Sequence, residues 1–283
     1  MLFAYEDAGK DRFRTAAIPS ELVRLYGGQL IAQALGAMQK TVSPEKTAHS
    51  FHAYFGRPGH IDKDLDFAVL RDNDGRSFST RRVTVTQDGA VILTASASFQ
   101  VGEDGPRHQF PMPDVPPPEG LRPLHDYVAE AADRLPVRHR PFWLGQHQFE
   151  WRPVEPFRIF SGGPPTAGPH YWLKLKARLG DDEAEHQRYL TYVSDLHILH
   201  AGLAPLAIGW ADDHLQTSSL DHALWFHDRF RVDEWLLYTL DSPAAGGGRA
   251  LGRGTLHASD GRLVATVSQE GLIRVHETPR SRF

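Results

Sequence analysis

Apolar and polar positions divide this chain into two halves that repeat one order of elements. Gly28 to Val42 sets Leu30, Ile31, Ala34, Leu35 and Met38 on one stripe, the i, i+3, i+4 spacing of a buried helix face. Thr191 to Leu206 does the same with Leu196, Leu199, Leu203 and Leu206, which predicts a second helix. Downstream of the first stripe, Ser77 to Thr86 is rich in Thr and Val, and Val91 to Val101 alternates in side-chain size. Asp88-Gly89 lies between them and predicts a tight hairpin. In the second half, Arg249 to His257 and Arg262 to Val275 flank Asp260-Gly261 in the same way. The two turns lie 172 residues apart, and His49 to Phe55 precedes its turn at about the distance that Asp221 to Phe226 precedes the other. Two matched spacings indicate an internal duplication. One apolar helix followed by a long antiparallel sheet, twice over, predicts an α+β fold with a helix wrapped in sheet in each half.

Between the halves, Pro106 to Pro123 holds Pro111, Pro113, Pro116, Pro117 and Pro118, too many for a helix or a central strand. Domain boundaries follow at residues 1–103, a proline-rich linker at 104–140, and 141–283. Gly162-Gly163-Pro164-Pro165 predicts a further loop inside the later domain.

Composition narrows the chemistry. The chain has no cysteine, which removes disulfides, thiolate metal sites and cysteine nucleophiles together and suits a cytoplasmic protein. A net charge of −4 with scattered basic residues predicts no nucleic-acid partner, and the Arg138 to Arg140 cluster is too small for a groove-binding surface. No apolar run approaches the roughly 20 residues of a membrane span, and the first residues lack the pattern of a signal peptide. There is no Gly-x-Ser-x-Gly elbow, no phosphate loop and no His-Glu-x-x-His; Gly246-Gly247-Gly248 precedes a strand rather than a helix. His197 and His200 lie one helical turn apart, and His49 and His52 share that spacing, but neither pair has an evident third ligand. Neither a metal nor a cofactor is expected.

Three polar residues stand where apolar ones belong. Asp195 lies beside the Leu199 stripe, where a carboxylate loses water and needs partners. Gln269 shares a strand face with Leu263, Ala265, Val267, Gly271, Ile273 and Val275, the side that should pack on the helix. Ser219, ahead of Trp225 and Phe226, offers a third polar group.

At these positions the sequence resembles the acyl-CoA thioesterase II family of double hot-dog thioesterases. The resemblance runs through Tyr26 to Leu35, His49 to Gly59, Ser77 to Val83 and Ala95 to Gln100. It returns at Tyr192-Val193-Ser194-Asp195, Ser219-Leu220-Asp221-His222-Ala223-Leu224-Trp225-Phe226-His227 and Ser268-Gln269-Glu270-Gly271. It fades from about Gly105 to Gly168. It implies two tandem hot-dog domains, acyl-CoA as substrate, and catalytic roles for Asp195, Ser219 and Gln269. Asp195 then directs a water held by the other two, and the Gly27-Gly28 start of the first helix offers N–H groups to an oxyanion. His49 and His52 belong to a family motif without an assigned step. Arg57, Arg81 and Arg253 are candidates for coenzyme A phosphates. A homo-oligomer, dimer or tetramer, is expected. Two other readings share these features: a hot-dog hydratase or dehydratase, which should pair a His with the helix carboxylate, and an acyl-CoA-binding module without catalysis. Only the second half carries the polar trio. Gly27, Gly28 or Gln29 stands where Asp195 would, no acid occurs from Gly27 to Lys40, and Ala97 follows its turn as Gln269 does. One working site per chain is expected.

Overall fold

A computed structural model describes residues 2–18, 22, 24–135, 137, 140–145, 147–155, 168–210, 212 and 214–277, so the loop expected at 162–165 lies outside the described residues. The first half contains strands β1 (Glu6–Asp7) and β2 (Arg12–Thr15), helix α1 (Gly27–Gln39), and strands β3 (Lys46–Phe55), β4 (Leu65–Asp74), β5 (Phe78–Gln87) and β6 (Ala90–Val101). Short helices α2 (Leu124–Glu130) and α3 (Arg140–Leu144) follow. The second half has strands β7 (Phe149–Pro153) and β8 (His170–Leu175), then helices α4 (Glu183–Ser194) and α5 (Ile198–Leu203). It closes with strands β9 (Leu215–Ser219), β10 (Asp221–Phe226), β11 (Leu236–Gly246), β12 (Arg249–Ala258) and β13 (Leu263–Val275).

The strands form one antiparallel sheet in the order β1-β2-β4-β5-β6-β3-β10-β13-β12-β11-β8-β7, with β9 also on β13. Outward from the β3–β10 junction, β3-β6-β5-β4-β2 is answered by β10-β13-β12-β11-β8, the duplication in three dimensions. The two halves are tandem hot-dog domains. Alternation sets the inner face: on β13, Ala265, Val267, Gln269, Gly271 and Ile273 are buried in step. The two repeated hairpins differ in their turns. Asp88 and Gly89 both have positive φ (49° and 76°), the two-residue type that Asp-Gly favours. The Asp260-Gly261 turn is wider, and only Gly261 of that pair has positive φ (90°).

Helix α1 forms as its spacing predicts, with Leu30, Ile31, Ala34, Leu35 and Met38 all buried. It packs on β3 to β6 and runs antiparallel to α4. Gly28 meets the Tyr192 carbonyl at one end of that pair, and Gln39 Nε2 donates to the Ala184 carbonyl at the other. The helix expected over Thr191 to Leu206 is instead two. α4 ends at Ser194, His197 takes a left-handed backbone (φ 66°), and α5 starts at Ile198. Leu203 remains buried, whereas Leu206 falls beyond α5 and is exposed. α5 turns onto β11 to β13, where Gly252, Gly202 and Gly271 have no side chains to obstruct Ile198, Leu199 and Ala250. That close approach, rather than a local breaker, fixes the bend.

The proline-rich stretch lies against the second half. Trp172 Nε1 donates to the Pro116 carbonyl (2.9 Å), Gln109 bonds Gly261 and Leu263, and Arg107 pairs with Asp228. After it, α2 buries Leu124 and Val128 against β7.

Candidate active site

Two buried tyrosine hydroxyls finish the C-terminal turn of α4. Tyr26 donates to the Tyr192 carbonyl (2.9 Å) and Tyr238 to the Ser194 carbonyl (2.7 Å), so these helix-end acceptors are satisfied by side chains. Asp195 is the C-cap of this fixed end. A carboxylate is disfavoured at the negative end of its own helix, but α1 presents its positive end to the same group. Gly27 begins α1 so close that an added methyl would sit 2.8 Å from Asp195 Oδ2 and 3.3 Å from the Phe55 ring.

A chain of hydrogen bonds leads from the sheet to that carboxylate. Ser219, the last residue of β9, donates from Oγ to Asp195 Oδ1 (3.3 Å). Gln269, fully buried on β13, donates from Nε2 to Ser219 Oγ (2.9 Å). Behind it, His222 of β10 meets Gln269 Oε1 through Nδ1, and its Nε2 lies 3.0 Å from Ser194 Oγ. Asp195 and Ser219 open onto a cleft of about 360 Å³ whose walls include Leu25, Phe142, Trp143, Leu196, Leu199 and Trp210. Such a lining takes up an apolar chain.

The surroundings are poorly hydrated. Burial, and then the negative charge of Asp195, push the hydroxyls of Tyr26, Tyr192 and Tyr238 above their ordinary range, Tyr192 to about 12. All three therefore stay neutral beside the carboxylate. Burial lowers His197 to about 3 and lowers His200 as well, so both rings lining the cleft are neutral. His197 stacks on Tyr171 at 4.8 Å. Burial also lowers His222, against the opposing pull of Asp195.

The structure thus brings Asp195, Ser219 and Gln269 together with Gly27. Gly28 faces the Tyr192 carbonyl. It does not bring the three arginines to the cleft. Arg81 is 1% exposed and binds Thr41, Asn73, Thr80 and Asp74 within the first half. Arg253 lies exposed on the other face of β12 in a two-bond pair with Asp241. Arg57 is exposed and, among the described residues, bonds the Val91 carbonyl at 3.4 Å. Among the described residues, the arginine that does line the cleft is Arg24. His49 bonds Ser98 (2.8 Å) and His52 packs on Trp225, and neither lines the cleft. No group of three or more possible metal ligands occurs among the described residues, and no described helix is long and apolar enough to cross a membrane. The sequence alone assigns His222 no role, because a histidine at an inward strand position reads as core packing; its signal is its place three residues after Ser219 in the motif that runs on to His227.

Residues 142–272 match a family model described as acyl-CoA thioesterase, and residues 18–100 match one described as acyl-CoA thioesterase N-terminal domain. Acyl-coenzyme A thioesterase 8 of Mus musculus is 37% identical over 262 residues, covering 89% of this chain and 81% of its own length. Acyl-CoA thioesterase 2 of Haemophilus influenzae is 34% identical over 254 residues, covering 90% and 89%. The crystal structure of an acyl-CoA thioesterase II from Mycobacterium marinum aligns with a TM-score of 0.80 at 36% identity and covers 98% of both chains. Sequence, fold and the likeness over nearly the whole length agree, and this chain belongs to the acyl-CoA thioesterase II family.

Proposed function

We propose that this chain hydrolyses acyl-CoA thioesters to a carboxylic acid and coenzyme A, with Asp195 directing the attacking water. The observation that carries this reading is the chain Gln269–Ser219–Asp195 ending at an apolar cleft. A thioester is already activated, so the site must orient a nucleophile and stabilise the oxyanion. Asp195 accepts a proton from water as the oxygen attacks the thioester carbon. The tetrahedral oxyanion forms near the start of α1, where the N–H groups of Gly27 and Gly28 precede the first complete helical turn. Its collapse breaks the C–S bond, and the proton held by Asp195 passes to the leaving thiolate. Ser219 and Gln269 fix the direction in which the carboxylate faces the water. A hydratase would place a histidine on this carboxylate; the hydrogen bond described for the Asp195 side chain runs to Ser219 instead.

The test is release of coenzyme A thiol from short, medium and long straight-chain acyl-CoAs. Because the chain has no cysteine, a thiol reagent reads product without protein background. Turnover of at least one chain length is expected, unaffected by prior alkylation of the protein. Acyl-CoA binding without thiol release at any length would leave a binding module.

A further inference from the structure

We propose that His222 is a positioning residue for this hydrolysis, holding Gln269 in the one amide orientation that lets Ser219 donate to Asp195. The inference rests on the reading above, and the geometry behind it is local. Asp195, as an ionised carboxylate, only accepts hydrogen bonds, so Ser219 must spend its single hydroxyl proton on Oδ1. The Ser219 oxygen then needs a donor on its other side, and Gln269 Nε2 supplies it at 2.9 Å. With Nε2 turned to Ser219, Gln269 presents Oε1 to His222. An acceptor there requires a proton on His222 Nδ1. On the far side of the ring, Ser194 Oγ lies 3.0 Å from Nε2 and 2.9 Å from the Thr191 carbonyl, so its one proton can turn to either, and with Nδ1 protonated the neutral ring accepts it at Nε2.

The reverse arrangement breaks the chain. If the amide were flipped, Oε1 would take the Ser219 proton, and the hydroxyl oxygen would face the carboxylate with no hydrogen between them. Gln269 is fully buried and His222 is 1% exposed, so water does not readily repair the mismatch. Two groups distinguish the ends of the amide: Asp195, which takes the Ser219 proton and so calls for Nε2 at Ser219, and His222, whose Nδ1–H calls for Oε1 on the other side. The orientation of Gln269 that serves Asp195 is therefore the one that a His222 ring protonated on Nδ1 holds in place, and a ring protonated on Nε2 alone opposes it.

The first half shows what this strand position looks like without the task. Counted from the hairpins, Ala97 takes the place of Gln269, and its cross-strand neighbour is Phe51, fully buried. An apolar side chain thus suits the fold at such a register.

The experiment compares His222→Leu, His222→Asn, Gln269→Ala and the His222→Leu/Gln269→Ala double variant, with kcat, KM and thermal midpoint measured for each on one acyl-CoA. Leucine removes the donor, and kcat should fall by up to about 100-fold with KM little changed. Asparagine can place an N–H on the atom bonded to Cγ, where Nδ1 stands, and should restore most of the lost kcat. In the Gln269→Ala background the leucine substitution should cost almost nothing further, because its effect passes through the amide. Should the leucine variant fail to fold, His222→Phe, matching Phe51, serves in its place. Equal losses in both backgrounds, or asparagine as poor as leucine, would overturn the positioning role. Wild-type kcat in Asp195→Asn would instead overturn the catalytic reading on which it rests.

Discussion

His197 links the break after α4 to the way stability depends on pH. Its left-handed backbone is one that Asn also tolerates and a β-branched residue does not. In the folded chain its pKa is held at about 3 by burial, far below the ordinary 6.5. Below pH 6.5 the unfolded chain therefore binds a proton that the folded chain refuses. Stability should fall as pH drops from 6.5 towards 3, with this residue contributing at most about 1.4 kcal/mol per pH unit. His197→Asn should keep the bend and flatten that slope by one proton, measured as urea midpoints between pH 7 and 4; parallel slopes would contradict the assignment. Asp195 and Gln269 stand out in the sequence because each puts polarity on a face patterned to be apolar, whereas Ser219, on a strand without that pattern, stands out through the family motif that it opens. The arginines could not be sorted, since nothing in the spacing separates a fully buried Arg81 from an exposed Arg57.

At the scale of elements, the site depends on how closely α1 meets the end of α4. A side chain at Gly27 would enter the space of the Asp195 carboxylate, whereas one at Gly28 would press on the Tyr192 carbonyl, a backbone atom that cannot swing aside. The two alanine substitutions should therefore separate. Gly27→Ala should lower kcat by at least about tenfold with little change in thermal midpoint, because it displaces the carboxylate proposed to direct the water by a fraction of an ångström to an ångström. Gly28→Ala should destabilise by about 1–3 kcal/mol through overpacking, seen in denaturant unfolding. Similar effects from both would argue against the placement of the carboxylate. Helix α1 and the strand pairs were legible because periodicity, Asp-Gly turns and burial all agree. The break at His197 was not, because Leu196, Leu199 and Leu203 keep helical spacing across it and no Gly or Pro marks it. Long-range packing of α5 on glycines of β12 and β13 decides the bend, and that information lies some 50 to 75 residues downstream.

The whole molecule has two related ends, and they have diverged. The antiparallel helices match the C-cap of α4, Asp195, with the C-cap of α1, Lys40, rather than with Gly27 to Gln29 as sequence spacing alone suggested. At the α1 C-terminal end the Gln187 side chain bonds both the N–H and the carbonyl of Ala48, and Gln39 bonds Gln187. A groove of about 1020 Å³ runs past these residues, and its Arg188, Arg229 and Arg231 are paired with Asp182, Glu183 and Asp181. Titration with a non-hydrolysable acyl-CoA analogue should saturate at one per chain; two equivalent tight sites would show that the second end still binds. In the proposed reaction one carboxylate, Asp195 at the end of α4, directs the water. Single-turnover hydrolysis of a saturating acyl-CoA by folded Asp195→Asn protein tests it most directly. A rate reduced by several orders of magnitude, with the analogue still bound at near wild-type affinity, is the predicted result, and a rate within a few fold of wild type would contradict it.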